Sequence, residues 1–432
     1  MISRSVILLV TSAFFIACAA QKKSGNETNT IITKNETARI EKVLAADEMR
    51  GRKTFSPEID KAADFIASEF RSAGLSTWNN SSFLQEFSML RTKPVSTTGK
   101  FNGSEIQPQN IMIITADSSL SANEMSGYKV ESVRPGDTLQ VVARRFVKMQ
   151  QRLLVIVDPF FTDQFGNLAR LRGNMFRDNS KVIFILSSNV PDSWSVDFRQ
   201  QVTEMKMKNV VGVLPDKSKK NEFVIFSGHY DHIGVGKAVN GDSIYNGAND
   251  DASGITGVIM LANYFSKLRN NERTIIFAAF TAEEIGGFGS QFFAQQYDPS
   301  HVIAMFNLEM IGTESKWGKN SAYITGYEKT DMGTILAKDL EGTEFSFYPD
   351  PYPNQQLFYR SDNATLARLG VPAHTISTSK MDVEPHYHKV SDHVETLDLV
   401  NMTEVIKAIA LSSKSIIAGT ATPTRVRVED LR

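Results

Sequence analysis

The distribution of apolar residues becomes regular from residue 209 onward. Short, nearly continuous apolar runs alternate there with segments whose apolar residues recur every three or four positions. FVIFSGH (223–229), TIIFAAF (274–280), VIAMFNLEM (302–310) and VPAHTIS (371–377) read as buried strands. GITGVIMLANYFSKL (254–268), GFGSQFFAQQY (287–297), ATLARLG (364–370) and LDLVNMTEVIKAIALSSKSII (397–417) read as helices. Strands that are apolar along their whole length, each followed by a helix, imply an α/β fold. Its central sheet is mostly parallel and covered by helices on both faces.

Upstream, Ile59, Ala62, Ala63, Ile66 and Phe70 have helical spacing, with Ser56 as N-cap, Pro57 in the first turn and Gly74 as stop. Ile40, Val43 and Leu44 suggest a shorter helix before it. QEFSM (85–89) reads as an edge strand. LLVIVDP (153–159) and KVIFILS (181–187) read as buried strands in a stretch that carries no chemical motif. Residues 38–106 are therefore expected to begin the main domain, 107–208 to form an insertion or subdomain, and 209–417 to form the core. Residues 418–432 are expected to be a loosely attached polar tail.

The N-terminus reads differently. Arg4 precedes an apolar run from Val6 to Ala17, roughly 12 residues, short of the ~20 needed to span a bilayer. Residues 1–17 are expected to be an export signal. Ala17-Cys18 resembles a bacterial lipobox, although Phe15 stands where Leu is usual; Ala17-Cys18-Ala19 also fits cleavage for free secretion. Cys18 is the only cysteine. An exported protein gains little from one unpaired thiol, which favours lipidation of Cys18 and a membrane-anchored protein facing the periplasm or the cell exterior. Residues 18–37, polar and without periodicity, are expected to be a flexible linker. The formal net charge of −1 gives no electrostatic case for nucleic acid or for an anionic membrane surface.

The candidate chemistry sits at the ends of the regular strands. In open α/β sheets ligands bind beyond the carboxyl ends of the strands. Strand 223–229 ends at His229 and leads to Asp231; Asp250 opens the next helix; strand 274–280 leads to Glu283-Glu284; Glu309 ends the third strand; His388 follows the fourth. Imidazoles and carboxylates in this number can hold two zinc ions that share one carboxylate. Such a pair activates water, and a neighbouring carboxylate free of metal is then needed to carry its proton. Glu283 and Glu284, adjacent and diverging, can divide these two tasks.

Six motifs in this order, SGHYDHIG (227–234), YNGANDDASG (245–254), FTAEEIGGFGS (280–290), FNLEMIG (306–312), RSDN (360–363) and YHKVSD (387–392), resemble the two-zinc aminopeptidase family that includes aminopeptidase Y. Its wider superfamily contains glutamate carboxypeptidase II and the glutaminyl cyclases. The resemblance implies a zinc exopeptidase fold and removal of N-terminal residues from peptides. It implies one zinc on His229 and Glu309, a second on Glu284 and His388, Asp250 between them, and Glu283 as general base and acid. It further implies that Asp231 orients His229, that Tyr387 meets the developing oxyanion, that Arg360 contacts substrate, and that the Asp250–Asp251 peptide is cis. Two positions depart from the pattern. Glu309 stands where many aminopeptidases have Asp, and Asn363 stands where His is common and has no assigned role. His232, His386 and His393 read as supporting or surface residues, His301 and His374 as structural. The alternatives are a carboxypeptidase or a glutaminyl cyclase of the same fold, or a binding scaffold. Cyclases lack the first histidine, so His229 argues against that reading.

Overall fold

The computed structural model describes residues 27–79 and 81–432. The expected export signal and Cys18 lie outside the described residues. The described chain forms two units, one of residues up to Glu86 together with Lys208–Arg432, the other of Phe87–Met207. The second unit therefore starts twenty residues before the insertion expected at 107, because strand Leu84–Phe101 runs on past the edge-strand reading at 85–89.

The larger unit holds the expected α/β core. Strand Lys219–His229 lies parallel to Arg273–Phe280 on one side and to Val302–Leu308 on the other; Val302–Leu308 is parallel to Ala373–Ser377. Ser321–Ile324 joins antiparallel to Ala373–Ser377 and pairs in parallel with Ser346–Pro349. At the opposite side, Val210 to Leu214 pair antiparallel with Arg273–Phe280. The sheet is mixed, with its four parallel strands adjacent.

Alternate residues of these strands feed two cores, as the two-residue strand period requires. Val224, Phe226, Ile275, Phe277 and Ala279 pack with helices Lys34–Leu44, Pro57–Ser72, Ser253–Leu268 and Leu399–Ser412. Ile225, Ile276, Ala278 and Phe280 point to the other face, with Phe293, Leu366 and Val426. Ser56 caps the helix Pro57–Ser72 through the Ile59 amide, and Gly74 beyond its end has φ +75°, as the stop signal implied.

Two terminal expectations are corrected. The linker reading fails for residues 27–37. Residues 27–31 are helical, and Thr33 caps Lys34–Leu44 by accepting from the Glu36 amide. Thr28, Ile32 and Thr37 are buried, so sparse apolar residues are enough to seat this segment. Residues 418–432 are also held: Arg273 donates to the Ala421 carbonyl, Arg425 donates to the Val302 carbonyl, and Val426 is buried in the second core.

The smaller unit is built on a four-stranded sheet in the order Ile111–Thr115, Lys181–Leu186, Arg152–Val157, Lys129–Val133. Its last three strands are parallel, and helix Leu139–Lys148 makes one crossover. The first strand is antiparallel to its neighbour. Val155, Phe184 and Phe146 fill one of its cores; Leu154, Ile183, Trp194 and Phe198 fill the other.

Candidate metal centre

The strand ends deliver their polar residues to one place in the larger unit. His229 is the last residue of its strand. Its Nε2 lies 3.2 Å from Asp250 Oδ1 and 3.2 Å from Glu309 Oε1. His388 arrives on a loop, in left-handed conformation at φ +54°. Its Nε2 lies 3.2 Å from Asp250 Oδ2 and 3.3 Å from Glu284 Oε2. Each oxygen of Asp250 thus faces a different histidine, and each histidine faces its own glutamate.

The backbone around Asp250 is held from several directions. The Asp250–Asp251 peptide is cis. Asp392, from the YHKVSD motif, accepts the amides of Asn249 (2.9 Å) and Asp250 (3.1 Å), tying the loop of His388 to that of Asp250. Asp251 is turned inward and accepts from the amides of His229, Gly254 and Met310. Gly254 permits this approach, because a Cβ there would lie 2.4 Å from the Asp251 carboxylate. From the N-terminal segment, the fully buried Arg52 donates to the carbonyls of Leu44, Tyr230, Asn246 and Gly247, which binds the loops after His229 and before Asp250 together. Arg52 carried no periodic or motif signal in the sequence.

Asp231 acts differently from the expectation. Its carboxylate lies 3.8 Å from His229 Nδ1, and the backbone carbonyl of Asp231 takes that nitrogen instead, at 3.0 Å. The carboxylate accepts from Thr54 Oγ1 (2.9 Å) and from the amides of Glu283 (3.0 Å) and Glu284 (3.4 Å). It fixes the Glu283-Glu284 turn. His232, read as a supporting or surface residue, is buried, and its Nδ1 lies 2.7 Å from Glu284 Oε1. Asn363 also gains a role. It donates to the carbonyls of Phe358 and Ala373 and accepts from Thr375, buried behind the site. His374 is structural, bonded to Thr330 and to the Thr325 carbonyl. His386 bonds Ser391, and His393 pairs with Asp242.

Donor atoms fall into two groups within 4.8 Å: His229, Asp251 and Glu309, and His232, Asp250 and Glu284. Asp251 is the weaker ligand candidate of the first group, since its oxygens already accept three backbone amides. His388 offers a nitrogen to the second group at nearly the same range as His229 offers to the first.

The electrostatics call for cations. Asp231, Asp250, Glu283, Glu284, Glu309 and Asp362 gather around three histidines. Burial raises the Asp250 carboxyl, but hydrogen bonds and charge from His229, His232 and His388 hold it well below the ordinary range. Burial likewise raises Glu284, and His232 and His388 bring it down to about 2. His388, bonded to Asp250 and Glu284, is raised to about 10. Glu283 differs from its neighbour. Burial pushes its carboxyl well above the usual range, and the charges of Glu309, Asp362 and Glu284 add to the effect of burial. Asp250 and Glu284, which face the histidines, are held in the ionised form, whereas Glu283 holds a proton more readily than its neighbour.

Beside Glu309 opens a pocket of about 400 Å³ including its mouth, lined by Met310, Tyr323, Leu357, Met381 and Tyr387, with Arg360 among its lining residues. Its polar groups are largely bonded elsewhere: Tyr323 to the Ser379 carbonyl, Thr375 to Asn363, Ser377 to the Met310 carbonyl. Arg360 Nη2 donates to Tyr387 Oη at 3.2 Å, and the Tyr387 ring stacks on His388 at 4.0 Å. Burial and the nearby carboxylates raise the Tyr387 phenol to about 12, so it keeps its proton.

Comparison with known proteins fits this arrangement. Residues 209–412 match the profile of peptidase family M28. A "Probable leucine aminopeptidase" of Trichophyton verrucosum (strain HKI 0517) is 28% identical over 208 residues, which cover 46% of this chain and 54% of that protein. The chain thus spans about half the length of this curated relative. Among solved structures, the aminopeptidase from Aneurinibacillus sp. strain AM-1 superposes with TM-score 0.54 at 18% identity, covering 94% of this chain and 98% of the other. A zinc aminopeptidase from Bacillus subtilis gives TM-score 0.53 at 16% identity, covering 93% and 99%. These similarities establish the zinc exopeptidase fold.

Proposed function

Taking the match of residues 209–412 to peptidase family M28 as the premise, we propose that this protein is a two-zinc aminopeptidase that removes N-terminal residues from peptides. The observation that carries the reading is the paired geometry about Asp250, whose two oxygens face His229 and His388 at 3.2 Å each, with Glu309 and Glu284 completing the two sides. The donor set of imidazole and carboxylate suits zinc, and divalent cations would neutralise Asp250 and Glu284, which are held in the ionised form. His229, Glu309 and Asp250 would hold one ion; His388, Glu284 and Asp250 the other. Bound there, the metals would polarise the scissile carbonyl and lower the pKa of a shared water.

The remaining steps belong to the chain. Glu283 takes the proton of the attacking water and delivers it to the leaving amine, a task suited to its raised pKa. Asp231 holds the Glu283 and Glu284 amides, so the base and the neighbouring ligand diverge from one fixed turn. Tyr387, protonated and placed by Arg360, donates to the oxyanion. The pocket beside Glu309 accepts an uncharged, apolar side chain, since its polar groups are bonded internally. Arg360 is the cation among the pocket's lining residues, and it supports the carboxypeptidase alternative, because a terminal carboxylate would need such a partner.

A peptide-library digest by the zinc-loaded protein, read by mass spectrometry, tests the proposal. Progressive loss of apolar N-terminal residues is expected. Trimming from the carboxyl end, or no cleavage by a protein that carries both metals, would remove it. The segment Val6 to Cys18 supports export and lipid anchoring at Cys18; incorporation of labelled fatty acid that persists in Cys18→Ser would count against the anchor.

A further inference from the structure

The two glutamates that face the histidines share a second feature. Each has one oxygen toward its histidine and the other engaged by a protein donor. Glu309 turns Oε1 to His229, while Oε2 accepts from Ser361 Oγ at 2.6 Å. Glu284 turns Oε2 to His388, while Oε1 lies 2.7 Å from His232 Nδ1. We propose that Ser361 and His232 are positioning residues that cap one oxygen of each ligand carboxylate and leave each metal position a single glutamate oxygen. This rests on the two-metal reading above.

The donor roles follow from the surroundings. Ser361 Oγ accepts from Asn307 Nδ2 at 2.7 Å, and the orientation of the Asn307 amide is fixed because its Oδ1 accepts from Ser227 Oγ at 2.8 Å. With that lone pair used, the single Ser361 proton goes to Glu309. Asn307 Nδ2 also reaches Thr375 Oγ1, which bonds Asn363, so the cap stands on a buried chain of four side chains. A carboxylate only accepts, so His232 carries its proton on Nδ1 toward Glu284. Its Nε2 is buried and has no hydrogen-bond partner among the described residues. The ring cannot swing away, because Gly247, at φ +60°, closes over it so tightly that a Cβ would stand 2.6 Å from the ring. Its own amide donates to the Arg52 carbonyl at 3.2 Å.

The consequence is for coordination. One imidazole nitrogen, one glutamate oxygen and one Asp250 oxygen would give a metal three protein ligands at each position, which would leave room for water or substrate. A glutamate free to offer both oxygens would fill that place. Ser361 also explains how a glutamate serves at position 309: the extra methylene is taken up by the reach to the serine.

The test uses the full chain with Ser361→Ala, Ser361→Thr, His232→Ala and His232→Asn. Zinc affinity is measured by competition with a chromophoric chelator, and the cobalt-loaded proteins are compared by their visible absorption. Losing a cap lowers metal affinity by roughly 10–100-fold and weakens the cobalt bands as the freed oxygen joins the metal. Thr at 361 and Asn at 232 restore a donor and bring both readouts back toward the wild type. If both alanine variants match a wild type that binds two ions, or if the restoring variants fall as far as the alanines, the caps are refuted. Loss of one whole metal equivalent in His232→Asn would make His232 a ligand and overturn its assignment as a cap. A wild type that binds no metal would overturn the two-metal reading and this inference together.

Discussion

The parallel strands of Phe87–Met207 and those of the larger unit look alike in sequence, yet the two units bury different things. In the smaller unit the buried polar residues are Thr115, Ser180 and Gln200, and no charged side chain is buried. In the larger unit Glu41, Arg52, Asp231, Asp250, Asp251, Asp362 and Asp392 are all buried, most of them near one strand-end crevice. Buried charge costs free energy unless it is paired or serves a ligand. The smaller unit therefore reads as a body held by packing, and the larger one as a body that gives up part of its stability to hold a reactive site.

That contrast can be broken from either side. Glu283→Gln is expected to lower kcat/KM by about 10²–10⁴-fold. It should leave the melting temperature unchanged or higher and still bind two metal ions; a variant with full turnover would end the assignment of Glu283. In the smaller unit the reverse holds. Phe184→Ala should cost about 3–5 kcal/mol of stability by denaturant titration, while the folded fraction keeps wild-type kcat/KM; a loss of activity per folded molecule would mean the smaller unit takes part in catalysis. Tyr387→Phe keeps the ring on His388 and removes one donor, so kcat should fall by about 10²–10³-fold, with metal affinity unchanged by the chelator assay.

The smallest expected effect is on pH dependence, at a charged group with no part in the chemistry. Glu41 is fully buried, and burial raises its carboxyl to about 8, with Thr256 donating to one oxygen. Between the ordinary value of 4.5 and about 8, the unfolded chain releases this proton while the folded chain keeps it. Stability from this group therefore falls as pH rises through that window and levels off above it. Glu41→Gln should flatten the decline between pH 5 and pH 9 in thermal melts; an identical decline in both proteins would place the titrating group elsewhere.

Much of the larger unit was legible because its strands are buried on both faces and its helices have a clear period. His229, Asp250, Glu284 and Glu309, which the structure brings together, were legible because each sits at or near the end of such a strand or at the start of the following helix; His388 follows its strand through a loop. What escaped the sequence was held by contacts with no local signature. Arg52 works through four carbonyls contributed by separate segments. Asp231 looked like the usual partner of a ligand histidine, but its oxygens are claimed by Thr54 and the Glu283-Glu284 amides, which lie far from it in sequence. The helix at Lys34–Leu44 was longer than its apolar positions suggested, because threonines and short contacts seat it. The strands Leu84–Phe101 and Trp194–Leu214 are long and half exposed, so neither period stands out along them.

The Asn209 side chain donates to Gln85 Oε1 at 2.9 Å, and the Val211 amide donates to the Phe83 carbonyl at 2.8 Å. The chain thus leaves the larger unit and re-enters it at neighbouring points. Joining two points that already touch requires little loop-closure entropy. Topologically this is a splice junction: the intervening segment can lengthen, shorten or be exchanged for another module without changing the register of the strands that carry the site.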